Sequence, residues 1–219
     1  MSAGPSGGSA SGASNVEIES KYDVDDDTPL PDWSALPGVV SVGEPEPRDL
    51  DARYVDTAHH DLSRKGIAVR RRRGGPDEGW HVKGPREGGG RRETQWPLGE
   101  VADDDADPVV PAEIQEAVSA WARPPFLPLA RVRNQRTAYA LTDAEGALVA
   151  EFVDDRVQAR DERRGVDSSW REWEVELGPA GPSDDAGRAK FFAAVDAAVA
   201  AAGGRPAASG SKLGRALGH

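Results

Sequence analysis

Glu172, Glu174 and Glu176 alternate strictly with Trp173, Val175 and Leu177, and alternation of this kind recurs along the chain. Ile67 and Val69 share one face against Ala68, Arg70 and Arg72, and Trp80 and Val82 oppose His81 and Lys83. Arg91, Glu93 and Gln95 oppose Thr94 and Trp96, while Glu151 and Asp155 share a face. Period-two patterning defines strands. The plain reading of any one of them is a sheet or sandwich whose outer face is solvated. Taken as a set, with strict parity and both signs of charge, they point instead to a closed barrel. Its lumen is charged, and its apolar outside packs on helix residues such as Trp121, Phe191 and Phe192. Closure also removes the unpaired edges of the sheet.

Residues 1–14 are Gly, Ser, Pro and Ala with little else, and are expected to form a disordered tail. The ordered domain is expected over 15–203, with 204–219 as a flexible tail. Val16–Val24 reads as the first strand, and a short helix is expected around Asp32–Leu36. Leu50–Asp56 reads as the second strand. Gly66–Gly75 and Gly79–Pro85 form a hairpin, and a further strand leads to Trp96. Pro111–Trp121 reads as a helix, stopped by Pro124-Pro125. Three more strands follow, and Asp184–Ala202 is an amphipathic alanine-rich helix. About eight strands joined by hairpin-length connections define an α+β chain with an antiparallel sheet, because a parallel sheet would need a helix after each strand.

Composition narrows the function. There are no cysteines, so disulfides, thiolate metal sites and cysteine nucleophiles are excluded. The four histidines, His59, His60, His81 and His219, lack zinc spacing. No apolar run reaches the ~18 residues of a membrane span, and the N-terminus lacks the regions of a signal peptide. A cytoplasmic protein without a membrane partner is expected. The formal net charge of −11 disfavours DNA as a partner. Inside a barrel, two like charges ~4 Å apart at an effective dielectric of ~20 repel by about 4 kcal/mol. Carboxylates gathered there take up protons or bind a hard divalent cation, and oxygen-only donors suit Mg²⁺ or Mn²⁺. Guanidinium groups opposite them suit phosphoryl oxygens. A carboxylate wall facing an Arg/Lys wall describes a clamp for a polyphosphate.

These residues resemble the CYTH superfamily, the triphosphate tunnel metalloenzymes. Glu17-Ile18-Glu19-Ser20-Lys21 resembles the family's Glu-x-Glu-x-Lys signature. Tyr54–Thr57, Gly66–Arg72, Trp80–Gly84, Arg91–Glu93, Arg131–Arg133 with Arg136 and Tyr139, Glu151 with Asp155, and Glu172–Glu176 resemble the strands that follow, in order. The likeness spans residue 16 to about 202. It implies an eight-stranded antiparallel closed tunnel with helices on the outside, dependent on Mg²⁺ or Mn²⁺, acting on a small anionic substrate: triphosphate, polyphosphate or nucleotide. Carried over, Glu17 and Glu19, with some of Asp155, Glu172, Glu174 and Glu176, would hold metal. Lys21, Arg70, Arg72, Lys83, Arg91, Arg131 and Arg133 would grip phosphate, with Glu93 in the same site. Glu17, Glu19, Lys21 and Arg72 would form the catalytic set. Arg136 has the opposite parity to Arg133 and enters the lumen only across a bulge.

The implied reaction is hydrolysis of the terminal phosphoanhydride of inorganic triphosphate or a related short polyphosphate. The alternatives are a polyphosphate- or nucleotide-binding module without catalysis, a class IV-type adenylate cyclase on the same tunnel, and a metal-free acidic β-domain. Ser211–Leu217 resembles the junction at which CYTH domains pass into a CHAD domain, against the plainer reading of a basic unstructured tail. His81 is expected to make a structural hydrogen bond as readily as a phosphate contact. Trp170 and Trp173 are expected in the core, and the Asp103–Asp107 run in a solvated loop.

Overall fold

The computed structural model describes residues 12–87, 90–99 and 106–219. Most of the 1–14 tail, residues 1–11, and the start of the acidic run, Asp103–Asp105, lie outside them. The strands are β1 (Ala13–Glu17), β2 (Glu19–Val24), β3 (Ser41–Val42), β4 (Glu46–Asp56), β5 (Ala68–Arg73), β6 (Gly79–Glu87), β7 (Gly90–Trp96), β8 (Leu127–Thr142), β9 (Leu148–Asp161), β10 (Val166–Leu177) and β11 (Arg205–Pro206). The helices are α1 (Ala112–Ala117), α2 (Asp185–Ala202) and α3 (Lys212–Ala216).

Hydrogen-bonded neighbours run β1-β7-β6-β5-β4-β8-β9-β10-β2-β11, with β3 beside β8, and every pairing is antiparallel. The two ends of this ladder meet in one stretch of chain. Glu17 pairs with Arg91 of β7, Glu19 pairs with Glu176 of β10, and only Ile18 separates them. Ile18 itself accepts a bond from the Leu177 N–H at 3.0 Å. The N-terminal strand thus has β7 on one side and β10 on the other, and the ring closes through the chain at Ile18. Counting β1 and β2 as one and leaving aside the two-residue β3 and β11, the wall has eight strands.

The outer face carries two apolar cores. In one, α2 lays Phe191, Val195 and Val199 on Tyr22, Val24, Leu141, Phe152, Trp173 and Val175. The i, i+4, i+8 spacing puts those three side chains on one stripe. Asp184 caps the helix by accepting from the Gly187 N–H at 2.8 Å. Gly203 ends it at φ +100°, a conformation open to glycine. In the other, Ile114 and Val118 cover Val55, Leu62, Ile67, Val69 and Trp80. α1 is shorter than the expected 111–121 helix, and Trp121 is 47% exposed rather than packed on the barrel. The expected helix at Asp32–Leu36 is a pair of turns, short enough for Trp33 and Leu36 to plug the α2 core.

A third apolar cluster lies inside the wall. Ala52, Tyr54, Ala68, Val132 and Val157 have the parity of the inward-facing residues and meet Leu213 and Ala216 of α3. The segment expected to be a flexible tail is therefore ordered. β11 pairs with β2, Ala207 N–H donates to Lys21 O at 3.0 Å, and α3 enters one end of the barrel. Among the described residues no helix is long and apolar enough to cross a membrane.

Candidate functional site

The lumen holds a cavity of about 400 Å³. One wall is acidic. Glu17, Glu19, Glu174 and Glu176 face it from β1, β2 and β10, and Glu151 faces it from β9. The opposite wall is basic, with Arg70 and Arg72 on β5, Lys83 on β6 and Arg136 on β8. Each side chain is there because its parity within a closed barrel leaves it no other direction. Few charges face their neighbours unpaired. Lys21 bonds Glu19 at 2.7 Å and also Glu174. Lys83 bonds Glu17 at 2.6 Å. Arg136 holds Asp155 through two bonds of 2.8 and 2.7 Å and reaches Glu174 at 3.0 Å. Arg48 makes two bonds to Glu151 and two to Glu46. Burial alone would lower the Lys21 ammonium, but Glu174 and Glu19 outweigh it and raise it. The same balance raises Arg136 beside Asp155 and holds Asp155 and Glu174 low.

Two places are under-compensated. Arg72 is pushed down to about 9, first by burial and then by Arg70 and Arg136. It pairs with Asp77, yet its Nε, the Arg70 Nε and the Asn134 Oδ1 have no hydrogen-bond partner among the described residues. A buried guanidinium in that condition is a recognition group for an anion. On the facing wall, burial and the neighbouring charge of Glu19 raise Glu176. Burial and a hydrogen bond with Glu93 raise Glu17 to about 8, while Glu93, held by His81 and Arg70, is lowered. Glu17 and Glu176, both raised, and Glu19 beside them give this wall oxygen donors only, the donor type that suits a hard divalent cation.

His81 is buried between Glu93 at 2.8 Å and the Asp77 carbonyl at 3.0 Å, and burial lowers it to about 4. It orients Glu93 rather than facing the cavity. Trp173 is fully buried in the α2 core, whereas Trp170 is partly buried, donates to Glu172 and carries the Arg215 guanidinium 4.7 Å above its ring.

The structure corrects the parity reading of β8. Val132, Asn134 and Arg136 line the cavity, and Arg131 and Arg133 lie on the other face. Arg131 bonds Asp51 there, and Arg133 is exposed. Arg136 needs no bulge, for the β8 ladders shift only at Tyr54/Val55 and Leu141/Thr142. Arg91 lines the cavity but donates to the carbonyls of Gly84 at 2.7 Å and Gly66 at 3.0 Å. Asp155, Glu172 and Glu174 come together, each offering an oxygen within 4.8 Å of the others. The ammonium of Lys212, from α3, lies between them at 2.8, 2.6 and 2.8 Å. Lys212, Arg48 and Asn134 were not among the sequence candidates. Only Lys212 had a signal, in the Ser211–Leu217 stretch.

A barrel of eight antiparallel strands with acidic and basic inner walls is the architecture of a triphosphate-tunnel fold. The chain matches the CYTH domain over residues 15–190 and belongs to that family. An uncharacterized protein of Mycobacterium tuberculosis is 36% identical over 217 residues, which is 94% of this chain and 41% of the relative. The chain thus spans less than half the length of that relative. Solved structures share the fold. A Bacillus halodurans protein described as a candidate adenylate cyclase superposes with a TM-score of 0.60 at 14% identity, covering 92% of this chain and 97% of the other. A Hippeastrum protein described as a candidate adenylyl cyclase with dominant triphosphatase activity gives 0.53 at 16% identity, covering 92% and 95%.

Proposed function

We propose that the chain hydrolyses the terminal phosphoanhydride of inorganic triphosphate or a similarly short polyphosphate. The observation that carries this reading is the pairing of buried Arg72 and half-buried Arg70, each with an unpartnered Nε, with a carboxylate wall across one cavity. Such a cavity is complementary to a chain of negative oxygens that arrives with a metal ion. Glu17, Glu19 and Glu176 would hold Mg²⁺ or Mn²⁺, which when bound offsets phosphoryl charge.

The residues do the rest. Arg70, Arg72, Lys83 and Arg136 bind the non-bridging oxygens and stabilise the charge that builds up on them. A water oxygen bonds to the terminal phosphorus, and the bridging P–O bond breaks with its electron pair left on the diphosphate. The proton of the water passes to a carboxylate of the Glu17–Glu19 wall. Tyr54 lines the cavity, and its hydroxyl accepts from Arg70 at 3.4 Å.

The test is phosphate release from inorganic triphosphate, ATP and long-chain polyphosphate with Mg²⁺, Mn²⁺ or EDTA, beside Glu19→Ala. Metal-dependent release from triphosphate, lost in the variant, is the expected result. Release of cyclic AMP from ATP would assign the tunnel to a cyclase. Binding without turnover would make it a polyphosphate-binding module.

A further inference from the structure

The cations of the cavity differ in how firmly their carboxylates are fixed. Lys21, Lys83 and Arg136 bond Glu174, Glu17 and Asp155, which are buried on strands. Arg72 bonds Asp77, which lies on the turn between β5 and β6. The Asp77 side chain is 48% exposed, while that of Arg72 is 7% exposed. The turn itself is pinned. The Asp77 carbonyl accepts from Arg72 at 3.2 Å and from Gln95 at 3.0 Å, and it faces the His81 Nε2 at 3.0 Å. Gly74 meets β4 so closely that a Cβ there would lie 2.0 Å from the Asp49 carbonyl oxygen. The Asp77 carboxylate is therefore the part that can turn away into water while the backbone beneath it stays. A strand carboxylate that let go would remain buried and unpaired. Pro76 and Asp77 line the cavity at the end where β5 finishes, opposite α3, which meets Ala68 where β5 begins.

We propose that the Asp77 carboxylate occupies Arg72 in place of a phosphate oxygen, and that a polyphosphate entering by the mouth opposite α3 displaces it. Displacement leaves Asp77 hydrated and gives the buried guanidinium an acceptor of greater charge that suits the same fork of donors. Until then Asp77 offsets the repulsion that Arg72 feels from Arg70 and Arg136. The pairing lowers apparent affinity, because only molecules with Arg72 released accept the ligand. Asp77 acts at the mouth of the same tunnel, so this role rests on the polyphosphate reading of that tunnel.

The experiment titrates a methylene-bridged triphosphate analogue, which cannot be hydrolysed, by calorimetry at constant Mg²⁺. The proteins are the parent, Asp77→Ala, Arg72→Gln and Arg72→Gln/Asp77→Ala. Asp77→Ala should bind the analogue tighter than the parent by about 5-fold or more. The double variant should bind it no more tightly than Arg72→Gln. Equal or weaker binding by a folded Asp77→Ala overturns the proposal, as does a gain that persists without Arg72. A turn that needs Asp77 only for its shape predicts weaker binding, so the sign of the change separates the two roles. If Asp77→Ala does not fold, the isosteric Asp77→Asn, which removes the charge, is read in the same way. Phosphate release from inorganic triphosphate is measured on the same samples. Tighter binding by Asp77→Ala with no release from the parent supports the displaced carboxylate and removes only the hydrolysis. Release by the parent without the gain overturns the role of Asp77 and leaves the proposed function standing. Absence of analogue binding to parent and variant alike overturns both.

Discussion

Arg136 and Arg133 differ by one step of parity, and that step decides which of them can meet a ligand. Arg136 is held in the lumen by Asp155 and Glu174, and Arg133 is outside. Arg136→Gln leaves two buried carboxylates short of a partner, so it should destabilise the fold by about 3–5 kcal/mol and remove the rise in melting temperature caused by triphosphate. Arg133→Gln should change stability by no more than ~0.5 kcal/mol and leave that rise intact. Calorimetry of both variants with and without triphosphate is the check, and equal behaviour of the two would restore the sequence reading. Charge parity was legible for β2, β5, β6 and β10, where the apolar residues opposite are large. It misled on β8 because the inward positions next to Arg131 and Arg133 are the uncharged Val132 and Asn134, which give no sign of facing a charged lumen. A second residue-scale outcome concerns Glu17. Its folded pKa is raised from 4.5 to about 8, so the folded state holds a proton there that the unfolded state has lost. The stability from this group is full below 4.5 and falls as pH rises through about 8. Glu17→Gln abolishes that loss. In metal-free buffer, melting curves across this window should move in the variant's favour as pH rises, and a constant difference would count against the assignment.

At the scale of elements, α2 could be read from sequence and α3 could not. α2 carries its own evidence: an Asp cap, an apolar stripe at i, i+4 and i+8, and a closing glycine. Removing one rung of that stripe, Phe191→Ala, should cost about 3–5 kcal/mol by denaturant titration while leaving triphosphate binding unchanged, since α2 packs outside the wall. A loss of binding in the folded variant would mean that the outer core sets the lumen geometry. α3 has five residues, and its Leu213 and Ala216 form no periodic pattern over so short a span. Their meaning depends on the apolar end of the lumen, made by Ala52, Tyr54, Val132 and Val157 from strands that lie far away in sequence. The expectation of a charged lumen missed this end for the same reason, since an inward alanine or valine looks like any other strand residue.

At the scale of the molecule, one observation joins fold and site. The strand that closes the ring, broken only at Ile18, also carries Glu17, Glu19 and Lys21, so the acidic wall exists only in the closed barrel. Strand number, antiparallel order and closure followed from the sequence; the place where the ring closes did not, because it depends on one strand pairing with two partners, β7 and β10. The finished tunnel holds opposite charges across a cavity of about 400 Å³, in a protein whose formal net charge is −11. A polyanion alone meets Arg70 and Arg72 but also the carboxylates of the far wall. A divalent cation alone meets those carboxylates but also the arginines. Each ligand removes the repulsion felt by the other, so their binding should be positively coupled, and reciprocally so. Titrating triphosphate at fixed Mn²⁺ and Mn²⁺ at fixed triphosphate should give the same fold-increase in affinity, of about 5–150-fold. That increase should vanish in Glu19→Ala, where the acidic wall is weakened. Affinities unaffected by the second ligand would mean that the two walls act separately, and the clamp would then be a pair of unrelated binding sites within one barrel.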